Sequence, residues 1–397
     1  MTGKYRVLGL MTTAQAGASV MQQSLGVLAP FLIADFALSN AAFGALFTSM
    51  FIGCTCFTAF SGALTDQIGE RRMVLFSGMI MATALLASAA FANYTWLIGW
   101  MLVFGAGYAA ATPAGGRAIL SWFDRDRGFA MGIRQTGVPV GGLTGALVMP
   151  FVAQHFGGYR TAFVIAAALV AVPTLICYWG YRESSADRPP PSRKRDIARG
   201  MLELARDPRL IAVTIPCMVL VNVQLALNGF LTITAIKTIG VTPALAALSF
   251  ACAFGAATAA RLFWGWISDR YLRDRVLLLG VLCVMASLSS LAVGVLRPAT
   301  AVLLVPAAIA LGLFGAGWNG VMAAALAEIG GANRAGSALG LTLTAVFATS
   351  AVGPLVFGSI ADHRSLEAAW IVTAIVTLVG VVPALWLRFA APRANRA

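Results

Sequence analysis

Long apolar runs alternate with short polar breaks along almost the whole chain, and the length of a run decides the element it forms. A helix needs about 20 apolar residues to cross the hydrocarbon core of a bilayer. Roughly twelve runs reach that length, at about 8–34, 41–64, 73–92, 95–120, 128–153 and 161–181, then 210–236, 244–267, 276–296, 299–327, 337–360 and 367–390. The pattern predicts an all-α membrane protein of twelve transmembrane helices. Between the sixth and seventh runs lies a long polar segment, Arg182 to Arg209, with Pro189-Pro190-Pro191 and the basic cluster Arg193-Lys194-Arg195. It reads as a linker. The expected organisation is an N-terminal six-helix bundle, 1–181, a cytoplasmic linker, 182–209, and a C-terminal six-helix bundle, 210–397.

Composition restricts the solvent. With 59% hydrophobic and 11% charged residues and a mean hydropathy of +0.83, the chain has too little polar surface to coat a soluble protein of this length. A net charge of +13 would suggest nucleic acid in a soluble protein, but the cations are sided. Breaks on the side of the termini hold Lys4, Arg6, Arg71, Arg72, Arg125, Arg127, the linker cluster, Arg270, Arg273, Arg275 and Arg334, whereas the opposite breaks hold only Arg160, Lys237, Arg297 and Arg364. This is the positive-inside bias of a multi-pass protein of the plasma (inner) membrane with both termini cytoplasmic, and it leaves no place for nucleic acid. The first run is too long for a signal-peptide core and is expected to stay as helix one. Cys54, Cys56, Cys177, Cys217, Cys252 and Cys283 lie in or at the ends of apolar runs and read as packing residues. No nucleophile with a base and no metal-ligand cluster stands out, so neither an enzyme nor a metal or other cofactor is expected.

The chain is also duplicated. Gly62-x3-Asp66-x2-Gly69-x-Arg71-Arg72, after the second run, returns as Gly265-x3-Asp269-Arg270-x2-Arg273-x-Arg275 after the eighth. Phe104-Gly105-Ala106-Gly107-Tyr108 in the fourth run is matched by Phe314-Gly315-Ala316-Gly317-Trp318 in the tenth. Basic loops at Arg127 and Arg334 then open similar helices, the fifth and the eleventh. Two similar halves suit a carrier that rocks about a site held between them.

These motifs resemble the major facilitator superfamily of transporters over nearly the whole length. The resemblance implies two pseudo-symmetric six-helix bundles and a central cavity lined by spans one, four, seven and ten. It also implies that the loop after span two holds the cytoplasmic side shut by charge pairing, with its Asp near a helix N-terminus. A carboxylate is favoured at the positive end of a helix, which suits Asp66. Gly62 and Gly69 would permit close approach and the turn, and Arg71 and Arg72 would find carboxylates or lipid phosphates. Gly265, Asp269 and Arg270 form the second copy. The plainer alternative for Arg71 and Arg72 is anchorage of the cytoplasmic face. Arg261, one turn before Gly265, is read as a gate contact rather than a substrate ligand.

The charges inside the runs have one sign. No Asp or Glu lies deep in any run, yet Arg117 sits about one turn from the end of the fourth and Arg134 nearly two turns into the fifth. An embedded Arg is costly and faces a cavity or a partner. Without a deep acid the partner of Arg134 is either an anionic cargo, which a guanidinium fork suits, or a gate contact with Glu70, Asp126 or Glu328, or water reached by snorkelling. Arg117, nearer the surface, reads as latch or snorkel.

Other polar groups fall near mid-depth: Gln22 and Gln23, Gln135, Asn222, Gln224 and Asn228, and Asn319. Gln22, Tyr108, Asn222 and Trp318 are expected to line the cavity, with Gln135 and Asn319 beside it. The alternative is that the amides bridge helices and the aromatics pack. Gly137-Val138-Pro139-Val140-Gly141-Gly142 resembles the Gly-Pro motif of drug antiporters, but Val138 intervenes, and an Arg expected early in span four is replaced by Trp100 and Met101. Ser121-Trp122-Phe123-x4-Gly128-x-Ala130-x-Gly132, with Arg134-Gln135 following, resembles organic-anion and cyanate-type carriers. The resulting expectation is alternating-access transport of a small, monocarboxylate-like anion by a monomer in the lipid bilayer, as proton symport or anion exchange. Efflux of amphiphiles by proton antiport is the alternative, and a non-transporting sensor is a third.

Overall fold

A computed structural model describes residues 2–123, 127–183, 203–272 and 274–390, with side chains described for all of these except 2, 59–60, 62–63, 66, 120, 127–129, 269, 327, 331–337 and 387–390. Among them are twelve helices of membrane-crossing length and hydropathy. In chain order, spans one to six are Gly3–Phe36, Asn40–Thr58, Glu70–Ala90, Tyr94–Ile119, Ala130–His155 and Gly158–Gly180. Spans seven to twelve are Pro208–Lys237, Pro243–Ser268, Arg275–Val295, Pro298–Gly330, Ala338–His363 and Leu366–Trp386. An even number of crossings puts both ends of the chain on one face, called here the terminal face; the other is the far face.

Polar residues in the breaks start many of these helices. The first backbone N–H groups of a helix have no partner in it, and short polar side chains supply one. Asn93 accepts from Trp96 N at 3.1 Å, Thr242 from Leu245 N at 3.3 Å, Asp274 from Leu277 N at 3.0 Å and Ser365 from Ala368 N at 3.0 Å. Gly69, with φ +87°, makes the turn between spans two and three.

Inside the bundle, glycine sets helix separation, because lipid gives no hydrophobic drive and close packing does the work. A Cβ on Gly105 would lie 1.8 Å from the Met50 carbonyl oxygen, and one on Gly312 would lie 2.0 Å from that of Ala253. Span four thus rests on span two, and span ten on span eight. The Gly137–Gly142 stretch stays helical, and its spacing-four glycines Gly137, Gly141 and Gly145 face Thr12, Ala16 and Val20 of span one.

Two central spans are discontinuous. In span one the α-helix Thr2–Ser24 passes into a 3-10 turn, Leu25–Leu28, before Ala29–Phe36. In span ten the helix Leu304–Gly315 stops, and another begins at Asn319. The repeat therefore departs from the symmetry expected of it: Phe104–Tyr108 is uninterrupted helix, whereas Phe314–Trp318 carries a break. Helical backbone also runs on from Asn319 to His363, through the position of the loop expected around Arg334, whose side chain lies outside those described.

The halves meet at several depths. A Cβ on Gly26 of span one would lie 1.6 Å from the Asn228 carbonyl oxygen of span seven. Asn228 Nδ2 donates to Gln23 Oε1 at 2.5 Å. Nearer the far face, spans two and eleven touch backbone to backbone at Gly44 and Pro354 and at Gly358 and Asn40.

Candidate functional site around two buried arginines

Arg134 is 2% exposed, and span four makes room for it. A Cβ on Gly115 would lie 2.6 Å from both Nε and Nη2 of the guanidinium, so the side chain occupies the place that any larger residue would fill. Nη2 donates to Gln15 Oε1 at 2.6 Å and to the Ala111 carbonyl at 3.2 Å. Gln15 Nε2 passes the contact on to Ser19 Oγ at 3.2 Å, and Ser19 interacts with the hydroxyl of Tyr108. Spans five, one and four are thereby tied into one polar chain. Nε and Nη1 of Arg134 are buried without a protein partner. Beside them is a cavity of about 20 Å³ whose polar lining is Gln15, Ser77 and Thr174, roughly the space of one water.

Two of the three acids considered as partners of Arg134 are engaged elsewhere. Glu70 accepts from Arg117 Nε at 2.9 Å, and Glu328 pairs with Arg275; Asp126 lies outside the described residues. Arg117 is thus latched inside its own half.

Arg261, 9% exposed, is the second buried cation among the described residues. It leaves span eight toward the other half, where Nη1 donates to the Gln135 carbonyl at 3.3 Å, while Nε donates to Ala316 at 3.4 Å. Both bonds are longer than the usual N–H···O range. The Ala316 carbonyl sits at the break in span ten, and Asn319 Nδ2 also reaches it, at 3.5 Å. Tyr108, 7% exposed, feels the charge of both Arg134 and Arg261. Trp318, 2% exposed, keeps a buried indole N–H with no partner.

The expected site residues therefore separate. Gln135 and Asn319 gather with Arg261 where spans five, eight and ten meet, and Trp318 lies at the same break. The guanidinium of Arg134 lies among spans one, three, four and six of its own half, with Tyr108 in electrostatic reach of both cations. Gln22 is buried with an unpartnered Oε1. Asn222 is placed apart: Nδ2 donates to Met218 of its own helix at 2.9 Å, and Oδ1 faces Gly353. It borders an apolar groove of about 200 Å³ between spans seven, eleven and twelve.

On the terminal face, Arg71 Nε donates to the Tyr178 carbonyl at 2.6 Å, and its guanidinium lies 4.3 Å from the Tyr178 ring centre. Its backbone N–H reaches Glu183 at 3.2 Å. Arg72 lines, with Arg71, Tyr178 and Glu183, a separate polar groove on this face. Arg270 is exposed, and no atom lies within 4 Å of a Cβ built on Gly265. The side chains of Asp66 and Asp269 and the surroundings of Gly62 lie outside those described.

Sequence reasoning missed Gln15, Gly115 and Asp362. Gln15 and Gly115 carried a faint signal, an amide and a glycine pair in apolar runs. Asp362 sits in a third Gly-x3-Asp, Gly358-x3-Asp362.

Twelve spans, two halves joined by helix pairs and a charged group buried where they meet define a membrane transporter rather than an enzyme. The sequence profile of the Major Facilitator Superfamily matches residues 11–232 and 217–397, and the chain belongs to that family. It is 26% identical over 325 residues to an uncharacterised MFS-type transporter of Mycobacterium tuberculosis, covering 81% of this chain and 71% of that one. It is 24% identical over 183 residues to a probable sulfoacetate transporter of Cupriavidus necator, covering 46% and 42%. It is 30% identical over 130 residues to a multi-drug resistance efflux pump of Streptococcus pneumoniae, covering 32% of each. A crystal structure of a bacterial homolog to the human lysosomal transporter Spinster shares the fold, with a TM-score of 0.81, 17% identity and full coverage of both chains.

Proposed function

We propose that this protein is a secondary carrier of a small organic anion, working by alternating access between its two halves in the inner membrane, with both termini cytoplasmic. The observation that carries the reading is the pair of buried guanidiniums, Arg134 and Arg261, one from each half and both near Tyr108. Among the described residues their hydrogen-bond partners are one side-chain amide oxygen and three backbone carbonyls, with no carboxylate. A buried charge without a counter-ion is expensive, and an anion arriving between the halves removes that cost. Arg134 and Arg261 attract it, Tyr108 and Trp318 supply an aromatic wall and a hydrogen-bond donor, and Asn319 and Gln135 stand beside it. The relative named for sulfoacetate is consistent with an acid of this size. The carrier acts as a monomer, and protons or a second anion supply the driving gradient.

Thermal unfolding of the purified protein tests the reading, because a ligand of the folded state raises its melting temperature. Small carboxylates and sulfonates, sulfoacetate among them, are expected to raise Tm, and Arg134→Gln and Arg261→Gln each to abolish the shift. A shift with cationic dyes alone, unchanged in both variants, would replace anion transport by amphiphile efflux.

A further inference from the structure

The Gly-x3-Asp at the end of span eleven lies on the far face, opposite to the copies at Gly62 and Gly265. A Cβ on Gly358 would lie 2.3 Å from the Asn40 carbonyl oxygen, so glycine lets span eleven of one half touch span two of the other. One turn later the Asp362 carboxylate covers the start of span two. Oδ1 accepts from Asn40 N and from Asn40 Nδ2, each at 2.8 Å, and Oδ2 accepts from Ala41 N at 2.7 Å. A carboxylate is favoured at a helix N-terminus, and bonds to an ionised acceptor are the stronger kind. Span two has its own cap as well, Ser39 Oγ, which accepts from Ala42 N at 3.1 Å. Asp362 is therefore not needed to start the helix; what it adds is a tie between halves, across 322 residues of sequence.

The seam beneath this tie is apolar. Phe43 meets Phe230 of span seven at 5.9 Å, and Phe51 meets Phe347 of span eleven at 6.2 Å between ring centres. An apolar seam closes without directional preference, whereas the carboxylate fixes its register. Because Asp362 is exposed, water can replace the three donors when the seam parts, and no buried charge is stranded.

We propose that Asp362 is the latch of the far face, a gating residue that must leave the N-terminus of span two each time spans two and eleven separate on that side. It sets the balance between the far-closed arrangement described here and a far-open one. The inference holds whichever solute is carried.

The test reads accessibility and needs no solute. Thr48 lies one turn from Gly44 and nearly one from Phe51, on the face that meets span eleven. A Thr48→Cys protein is labelled with a bulky, water-soluble maleimide, and the rate is taken relative to the same protein with Thr48 intact. Asp362→Asn is expected to raise that rate on the order of tenfold. Asn40→Pro is the second variant. Residue 39 is already extended (φ −73°, ψ 165°), as the residue before proline prefers, and position 40 opens the helix. The fold is kept while two of the three donors to Asp362 are lost, so labelling should again accelerate. Ser39→Ala, which removes the helix's own cap and a hydroxyl beside Asp362 but keeps all three amide donors to the carboxylate, should accelerate labelling far less than Asp362→Asn. The latch is overturned if Asp362→Asn and Asn40→Pro both label at the parent rate while melting within a few degrees of it. It is equally overturned if Ser39→Ala accelerates labelling as much as Asp362→Asn, because fraying of span two would then be the cause.

Discussion

Gln15 Oε1 receives Arg134 Nη2 at 2.6 Å, so the most buried cation described in the N-terminal half is held by a neutral amide rather than by an acid. The arrangement positions the guanidinium without neutralising it. An acid at position 15 would make a stronger pair and spend the charge that an anionic solute needs. Gln15→Glu is therefore expected to raise the melting temperature of the unliganded protein and to abolish stabilisation by small anions, read in one thermal-shift series. Gln15→Leu removes the acceptor and should lower stability by about 1–3 kcal/mol.

Gly115 tests whether the guanidinium depends on its slot. Gly115→Ala places a methyl 2.6 Å from Nε and Nη2, so Arg134 must move. We expect loss of anion-induced stabilisation and a cost of about 1–3 kcal/mol. Gly116→Ala is the control: its Cβ would meet Met131 Cε at 3.6 Å, an ordinary contact. It should bind anions as the parent does.

The seam between spans one and seven predicts a sharp contrast between glycines. Gly26→Ala would set a methyl 1.6 Å from the Asn228 backbone oxygen. The halves cannot then close as they do here, and folded yield should collapse, judged by size-exclusion profile. Gly132→Ala, with nothing within 4 Å, should fall within about 0.5 kcal/mol of the parent.

Arg117 and Glu70 are a pair of modest worth. Their side chains are 28% and 11% exposed, so water screens part of the attraction. Glu70→Gln is expected to cost about 1 kcal/mol or less and to leave anion-induced thermal shifts intact. Loss of those shifts would tie Glu70 to the Arg134 site.

The twelve spans, the division into halves and the sidedness of the cations were legible because each is a local property of the chain. A run of apolar residues long enough to cross a bilayer must become a helix whatever its neighbours are, since a backbone in lipid has to satisfy its own hydrogen bonds. The chemistry at Arg134 was half legible. Its depth in span five follows from counting, and so does the lack of any acid deep in the runs. Gln15 could not be found that way, because it lies 119 residues from the cation it holds.

Repeats and glycines show the same limit. Phe104–Tyr108 and Phe314–Trp318 are near copies, yet only the second interrupts its helix. Gly265, in the family motif, borders open space, while Gly26, Gly115 and Gly358 lie against a backbone carbonyl, a guanidinium and another backbone carbonyl. A glycine reads the same in all of these places.

By itself, then, the sequence determined what depends on composition and period: how many helices, which solvent surrounds them, and where charge enters them. Only the tertiary structure decided which groups meet: Arg134 with Gln15, Arg261 with the carbonyls of Gln135 and Ala316, and Asp362 with the first turn of span two. Hydrophobic length is summed along the chain, whereas a hydrogen bond depends on a few ångströms between residues that only the packing of helices brings together.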